Sequence, residues 1–183
     1  MKREEALASI EVNVENRNLI KHMLATEAVM RALAARLGEN EEIWAFTGLL
    51  HDIDVELTEG DMSVHGKLGA DLAAELGASD DMTMAIMAHN EKLGFLRNSK
   101  LDKALYCADP VTGLITATAL VRPEKKLTNV EAKSVRKRFK EKSFAAGASR
   151  EQMASCSELG LELDEFISIS LDAMKSVAED LDL

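Results

Sequence analysis

The sequence predicts an all-α protein, and three observations carry that expectation. The chain has only two prolines and 4% aromatic residues, so strands have little to be built from. Its apolar residues recur at spacings of three and four with no sustained alternation, which is the helical period. Polar cap residues and glycines punctuate those stretches at helical lengths.

The first long segment runs from about Glu15 to Leu37. It places Leu19, His22, Thr26, Val29 and Leu33 on one face, with Gly38 as its C-terminal stop. A second starts near Asn40 and carries Glu41 and Glu42 in its first turn, where the helix dipole favours anions. It continues through Ile43, Phe46 and Leu50 to His51. A polar loop around Gly60 precedes a third helix over about Ser63 to Leu76, closed by Gly77, and a fourth follows Ser79 as N-cap and reaches His89. Ser99 with Asp102 reads as a capping box before Leu101, Leu105 and Asp109; Pro110 is expected to kink or restart the chain before Leu114 to Leu120. Thr128 with Glu131, and Ser149 with Gln152, open two further helices by the same device, and Asp164 to Leu181 forms a last amphipathic one.

With 183 residues, 46% apolar and 30% charged, the chain is long enough for one sizeable core and is expected to be one domain. The 22 Lys and Arg against 32 Asp and Glu give a net charge of −10. A uniformly acidic surface repels nucleic-acid phosphates and anionic membranes, so neither a nucleic-acid polymer nor a membrane is expected as a partner. Any phosphate-bearing ligand must then meet a local cationic device. No apolar run approaches a membrane span and the start lacks the pattern of a signal peptide, which predicts a cytoplasmic protein. Cys107 and Cys156 stand far apart without a CxxC pair, so they are expected to be buried small apolar residues and not a disulfide or a thiolate zinc site.

The chemistry concentrates in four histidines, His22, His51, His65 and His89. His22 interrupts the apolar stripe of its helix and His89 extends Met82, Ala85 and Ile86. Each alone reads as a hydrogen-bonded core histidine. Together with Asp52, which follows His51 directly, and Asp109, which shares a face with Leu101 and Leu105, they read differently. A lone carboxylate on an apolar face is costly to bury, and a divalent transition ion taking four imidazoles and two carboxylates removes that cost.

The ordered pattern of His22, His51-Asp52, His65, His89 and Asp109 resembles the HD-domain superfamily of metal-dependent phosphohydrolases, in particular the small bacterial HDIG-type hydrolases. Thr47-Gly-Leu-Leu-His-Asp-Ile-Asp54 is similar to the family's second core helix and its end. Val64-His-Gly-Lys-Leu-Gly-Ala70 is similar to the helix of the third histidine, and Ala104-Leu-Tyr-Cys-Ala-Asp109 to that of the last aspartate. The resemblance covers about residues 15 to 120 and implies an HD-type helical domain with a C-terminal helical extension over 121–183. It implies a first metal held by His22, His51, Asp52 and Asp109, a second held by His65 and His89, and Asp52 bridging them as the catalytic carboxylate. The implied reaction is hydrolysis of a phosphate ester or anhydride by a metal-bridging hydroxide. The expected ions are divalent or mixed-valence, iron or manganese first, with nickel, zinc or magnesium as substitutes. The family text continues with glycine and lysine after the HD-Ile stretch; here Asp54 and Val55 follow Ile53. Asp54 reads as a loop or cap aspartate, with ligand orientation or proton acceptance as the alternative.

The expected substrate is a small phosphorylated molecule, a nucleotide or dinucleotide being one such, and two groups of cations are available to it. Lys92 and Arg97 follow His89 in sequence; Lys133, Arg136 and Lys140 belong to a basic helix over 133–142. That helix lacks the aromatic platform of a single-strand binder, a second reason to expect no nucleic-acid polymer. Two other functions fit the same ligands: a di-iron oxygenase of the same superfamily, and a metal-bearing regulatory module without turnover. The sequence leaves the oligomeric state open.

Overall fold

The computed structural model describes residues 2–183, and among them there is no strand. Nine α-helices follow in order: α1 Arg3–Asn13, α2 Arg17–Leu37, α3 Glu41–Leu50, α4 Lys67–Glu75, α5 Asp80–His89, α6 Lys100–Leu120, α7 Ala132–Lys140, α8 Arg150–Ala154 and α9 Leu163–Ser176. Short 3-10 turns at Glu91–Leu93, Leu127–Asn129 and Ser155–Leu159 join some of them.

The long central helices start and stop where their caps dictate. The Asn16 side chain accepts from the Asn18 N–H at the start of α2, and Gly38 ends it in the left-handed conformation at φ 71°. The Asn40 side chain caps α3 through the Ile43 N–H. Ser99 and Asp102 form the reciprocal capping box of α6. Helices α2 and α3 cross closely at Gly48, where an added Cβ would stand 2.7 Å from the Thr26 carbonyl oxygen. Only a glycine lets the two backbones approach so far.

Several expected boundaries differ, each for a local reason. Helix α6 runs through Pro110 without interruption: Leu105, Val111, Leu114 and Ile115 on either side of it are all fully buried, so packing outweighs the missing N–H. Helix α4 begins at Lys67 and not near Ser63, because Gly66 adopts φ 87° and the residues before it make turns. Ser79 caps α5 by position without a side-chain bond. Thr128 lies inside a 3-10 turn pinned by buried Leu127 and Val130, and α7 opens after Glu131 with no side-chain cap. Helix α9 stops at Ser176, five residues short of Leu181. Helix α1 escaped the sequence reading; it seats Ala6 and Ile10 on the core, and its Arg3 makes a two-pronged ion pair with buried Glu27 of α2 at 2.7 and 2.9 Å.

Two apolar clusters flank α2 and α3. One joins Ile10, Met23, Leu49, Leu50, Ile53 and Ile86; the other joins Val29, Leu33, Leu105, Leu114, Phe166 and Met174. The helices after residue 121 thus bury their apolar faces in the same core as α2 and α6. Cys107 and Cys156 are buried free thiols, as expected, and burial pushes the Cys156 thiol up to about 11.

Candidate metal centre

The six residues predicted from sequence converge between α2, α3, α5 and α6. His22 comes from the second turn of α2 and His51 caps the end of α3, with Asp52 next to it. His65 lies just before α4, His89 ends α5, and Asp109 sits midway along α6.

Each imidazole is tethered through Nδ1. His51 Nδ1 donates to the Gly48 carbonyl at 2.8 Å, and His89 Nδ1 donates to the Ile86 carbonyl. The Thr112 hydroxyl donates to the Asp109 carbonyl, so it accepts from His22 Nδ1 at 2.9 Å. His65 Nδ1 donates to Asp54 Oδ1 at 2.8 Å. With Nδ1 occupied as a donor, each ring in its neutral form carries its lone pair on Nε2, and the four Nε2 atoms point inward.

Those atoms form two pairs. His22 and His51 Nε2 are 3.2 Å apart, and His65 and His89 Nε2 are 3.1 Å apart. Asp52 lies between the pairs: Oδ1 is 3.5 Å from His51, 3.4 Å from His65 and 3.4 Å from His89, while Oδ2 is 3.5 Å from His22. Asp109 Oδ1 is 3.1 Å from His22 Nε2 and 3.9 Å from His51. Two lone pairs facing each other at such distances repel unless a proton or a cation lies between them. Ligand atoms each about 2.1 Å from one ion stand roughly 3.0–3.4 Å apart, so the donor set fits a divalent transition ion in type and in spacing. Two overlapping groups meet the requirement, His22 with His51 and Asp109, and His51 with Asp52 and His89.

The electrostatics follow from mutual burial. Burial opposes the charge on Asp52, yet the histidines around it, His51 foremost, hold its carboxyl well below the usual range. Burial likewise opposes charge on Asp109, and the His22 contact lowers it. Burial pulls the His89 ring down, but Asp52 outweighs it and brings the pKa to about 9. His22 is raised against its burial by Asp109, whereas burial lowers His51.

Asp54 proves to be both a cap and an orienting group. Fully buried, it binds His65 through Oδ1, and its Oδ2 accepts the Gly66 and Gly69 N–H groups at 2.7 Å each. It therefore closes the N-terminus of α4 from a distant segment while holding His65. A Cβ on Gly69 would meet the carboxylate at 3.1–3.2 Å, so a glycine is needed there for the close approach. The His22 and Asp109 side chains are 22% and 31% exposed and His51 is not exposed at all, so the centre opens on the α2–α6 side. A cavity of about 380 Å³ adjoins it there, lined by Lys21, His22, Gly113, Thr116 and Leu120 among others. Lys21, which sequence reasoning passed over, bonds Asp182 at 2.6 Å in that mouth.

The other cations lie elsewhere. Arg97 is engaged internally, donating to the Ala88 carbonyl at 3.3 Å with its guanidinium 3.8 Å over the Tyr106 ring; Lys92 is exposed, and neither lines the cavity beside His22. Lys133, Arg136 and Lys140 line a separate cavity of about 440 Å³ between α7 and α9, whose lining includes no residue of the centre.

Fold and site together define a helical protein with a buried histidine–aspartate centre suited to divalent metal. The HD domain family model matches residues 19–113, just over half the chain, and the chain belongs to that family of metal-dependent phosphohydrolases. Among curated proteins it is 33% identical to Ribonuclease Y of Oleidesulfovibrio alaskensis over 98 residues, 54% of this chain and 18% of that one. It is 26% identical over 168 residues to Ribonuclease Y of Sulfurovum, covering 88% of this chain and 32% of the relative. The Enterococcus faecalis Ribonuclease Y gives 26% over 168 residues, 90% and 32%. The chain thus spans less than a third of the length of these relatives. No solved structure matches it. Relatives named as ribonucleases overturn the expectation that nucleic-acid polymers are excluded as partners. The net charge of −10 is an average, and it does not constrain a local surface. Among the described residues no helix is long and apolar enough to cross a membrane.

Proposed function

We propose that this chain is a two-metal phosphodiester hydrolase and that RNA is its substrate class. The observation that carries the reading is the convergence of four Nε2 atoms, each freed by a tethered Nδ1, around the single carboxylate of Asp52. RNA enters through the shared name of the relatives. His22, His51 and Asp109 would hold one ion, His65 and His89 the other, with Asp52 shared. Ions bound there lower the pKa of water and offset charge on a phosphoryl group. The chain's own residues do the rest. The carbonyls of Gly48 and Ile86, the Thr112 hydroxyl and the Asp54 carboxylate fix the four rings, so the donors are arranged before any ligand arrives. Lys21 stands at the mouth beside His22, where an approaching phosphate can displace Asp182 from it. The closed His51 side excludes water, and the exposed His22–Asp109 side admits substrate.

The test is to strip the protein with chelator, restore manganese or iron(II), and incubate it with single-stranded RNA and with a simple aryl phosphodiester. Metal-dependent cleavage of both, absent from the stripped protein, is the expected result. A fully metal-loaded protein that cleaves neither, or that consumes oxygen in place of breaking a phosphoester bond, contradicts the reading.

A further inference from the structure

The charge of this chain is distributed unevenly. Between Arg122 and Lys142 there are nine Lys and Arg against three Glu, so this stretch carries +6 and the remainder of the chain −16. Local ion pairs take up part of that charge: Lys133 with Glu131, Arg136 with Asp164, and Arg138 with Glu141. Arg122 and Lys137 have no such pair among the described residues. The Arg122 Nε is, among them, the buried side-chain polar atom without a hydrogen-bond partner, a state that costs free energy unless a ligand satisfies it. It borders a cavity of about 370 Å³ lined by Thr118, Val121, Ser134, Lys137 and Arg138. Lys137 also faces the cavity of Lys133, Arg136 and Lys140, so the two cavities share one lysine and form a continuous basic surface around α7. Arg150 fixes this surface in place by donating to the Arg138, Phe139 and Glu141 carbonyls at the end of α7, at 3.2, 3.2 and 3.1 Å.

The geometry of α6 connects this surface to the metal centre. Asp109, Gly113, Thr116 and Leu120 follow at intervals of four, three and four and so share one face of the helix. Gly113, Thr116 and Leu120 line the cavity that contains His22; the basic cavity lies round the C-terminal end of α6, where Val121 and Arg122 line it with Thr118 from the opposite side of the helix. Gly113 and Leu120 are exposed, and a Cβ on Gly113 would meet only Ala148 at 3.9 Å, so this face is open. At about 1.5 Å per residue, the eleven residues from Asp109 to Leu120 span roughly 17 Å, a distance that a few nucleotides cover and a mononucleotide does not.

We infer that an RNA strand whose phosphodiester lies at the metal centre runs along the exposed face of α6, rounds the C-terminal end of that helix at exposed Val121, and delivers its flanking phosphates to Arg122, Lys137 and the basic face of α7. The inference rests on the reading of the centre as an RNA hydrolase and adds where the polymer is held. Charge complementarity selects a polyanion, and the metal centre at the far end of the path selects one that carries phosphodiesters. Aromatic platforms are dispensable for such contacts, because cations meet the phosphates irrespective of base.

Binding of a labelled, nuclease-resistant phosphorothioate RNA about 15 nucleotides long to the metal-loaded protein, followed by fluorescence anisotropy across a salt series, tests this. The variant Arg122→Gln/Lys137→Gln is expected to weaken binding about tenfold and to flatten the slope of log affinity against log salt by roughly 1.4, about 0.7 per lost phosphate contact. The control Arg36→Gln/Lys100→Gln makes the same change in net charge at ion pairs on other helices, with Glu165 and Glu39, and is expected to stay within about twofold. Equal losses in the two variants, or none in the first, overturn the path, and so does polyglutamate that displaces the RNA as well as unlabelled RNA does. Failure of the hydrolytic reading has a different signature: patch-dependent binding of RNA that the protein never cleaves. Cleavage of RNA that is indifferent to Arg122 and Lys137 removes the path and leaves that reading standing.

Discussion

Asp52→Ala is expected to lose both metals and, with them, phosphodiester cleavage by at least about 100-fold. Asp52 places one oxygen within 3.5 Å of three imidazole nitrogens and the other 3.5 Å from the fourth, so both proposed ions share it. Without it, four neutral lone pairs converge on a buried space that has lost its central negative charge, and neither ion retains a complete set of donors. His65→Ala and His89→Ala should instead leave the His22, His51 and Asp109 group intact and reduce the count from two metals per chain to one. Metal content by mass spectrometry, on protein purified without chelators, checks the asymmetry. An Asp52→Ala protein that keeps two metals and full turnover contradicts the shared carboxylate.

The second large effect is expected at Asp54, a residue that touches none of the inward-facing Nε2 atoms. Its carboxylate satisfies three buried donors, His65 Nδ1 and the Gly66 and Gly69 N–H groups. Alanine would strand all three at once, at about 2–4 kcal/mol of stability, and would release His65 to rotate or change tautomer. The Asp54→Asn change would keep the shape but turn an amide N–H₂ toward groups that themselves donate, so its stability loss is smaller. In both variants the affinity for the second metal should fall about 10–100-fold, while the first is held. Metal titration of the folded Asp54→Asn protein, with its melting temperature measured alongside, separates the two consequences. Unchanged affinity for both metals would show that His65 is oriented by something else.

The contrast between these two aspartates shows what the sequence discloses. The candidate ligands were legible because polar residues on apolar helix faces are conspicuous: His22 in the stripe of α2, His89 at the end of α5 and Asp109 beside Leu105 each interrupt a pattern. Asp54 interrupts nothing, and its partners, Gly66 and Gly69, become its partners only once the turns over 51–66 fold back. The same distant capping explains why α4 starts later than its local sequence implies. Lys21 was missed because it adjoins His22 in sequence, and its place in the lining of the cavity mouth emerges only when residues 181–183 pack beside it. Helices α2 and α3 and the start of α6 were legible through their own caps, whereas the continuity of α6 through Pro110 depends on burial that no local signal reveals. Whole-chain charge misled in the same way, since an average of −10 conceals a +6 segment.

Anomalous X-ray diffraction from crystals of the manganese-loaded protein tests the two-metal centre most directly. The account predicts two peaks roughly 3.5–4 Å apart, one bound through Nε2 of His22 and His51 with Asp109, the other through Nε2 of His65 and His89, and Asp52 touching both. A single peak whose ligands omit His65 and His89, or imidazoles bound through Nδ1 with their tethers to Thr112, Gly48, Asp54 and Ile86 broken, would contradict it.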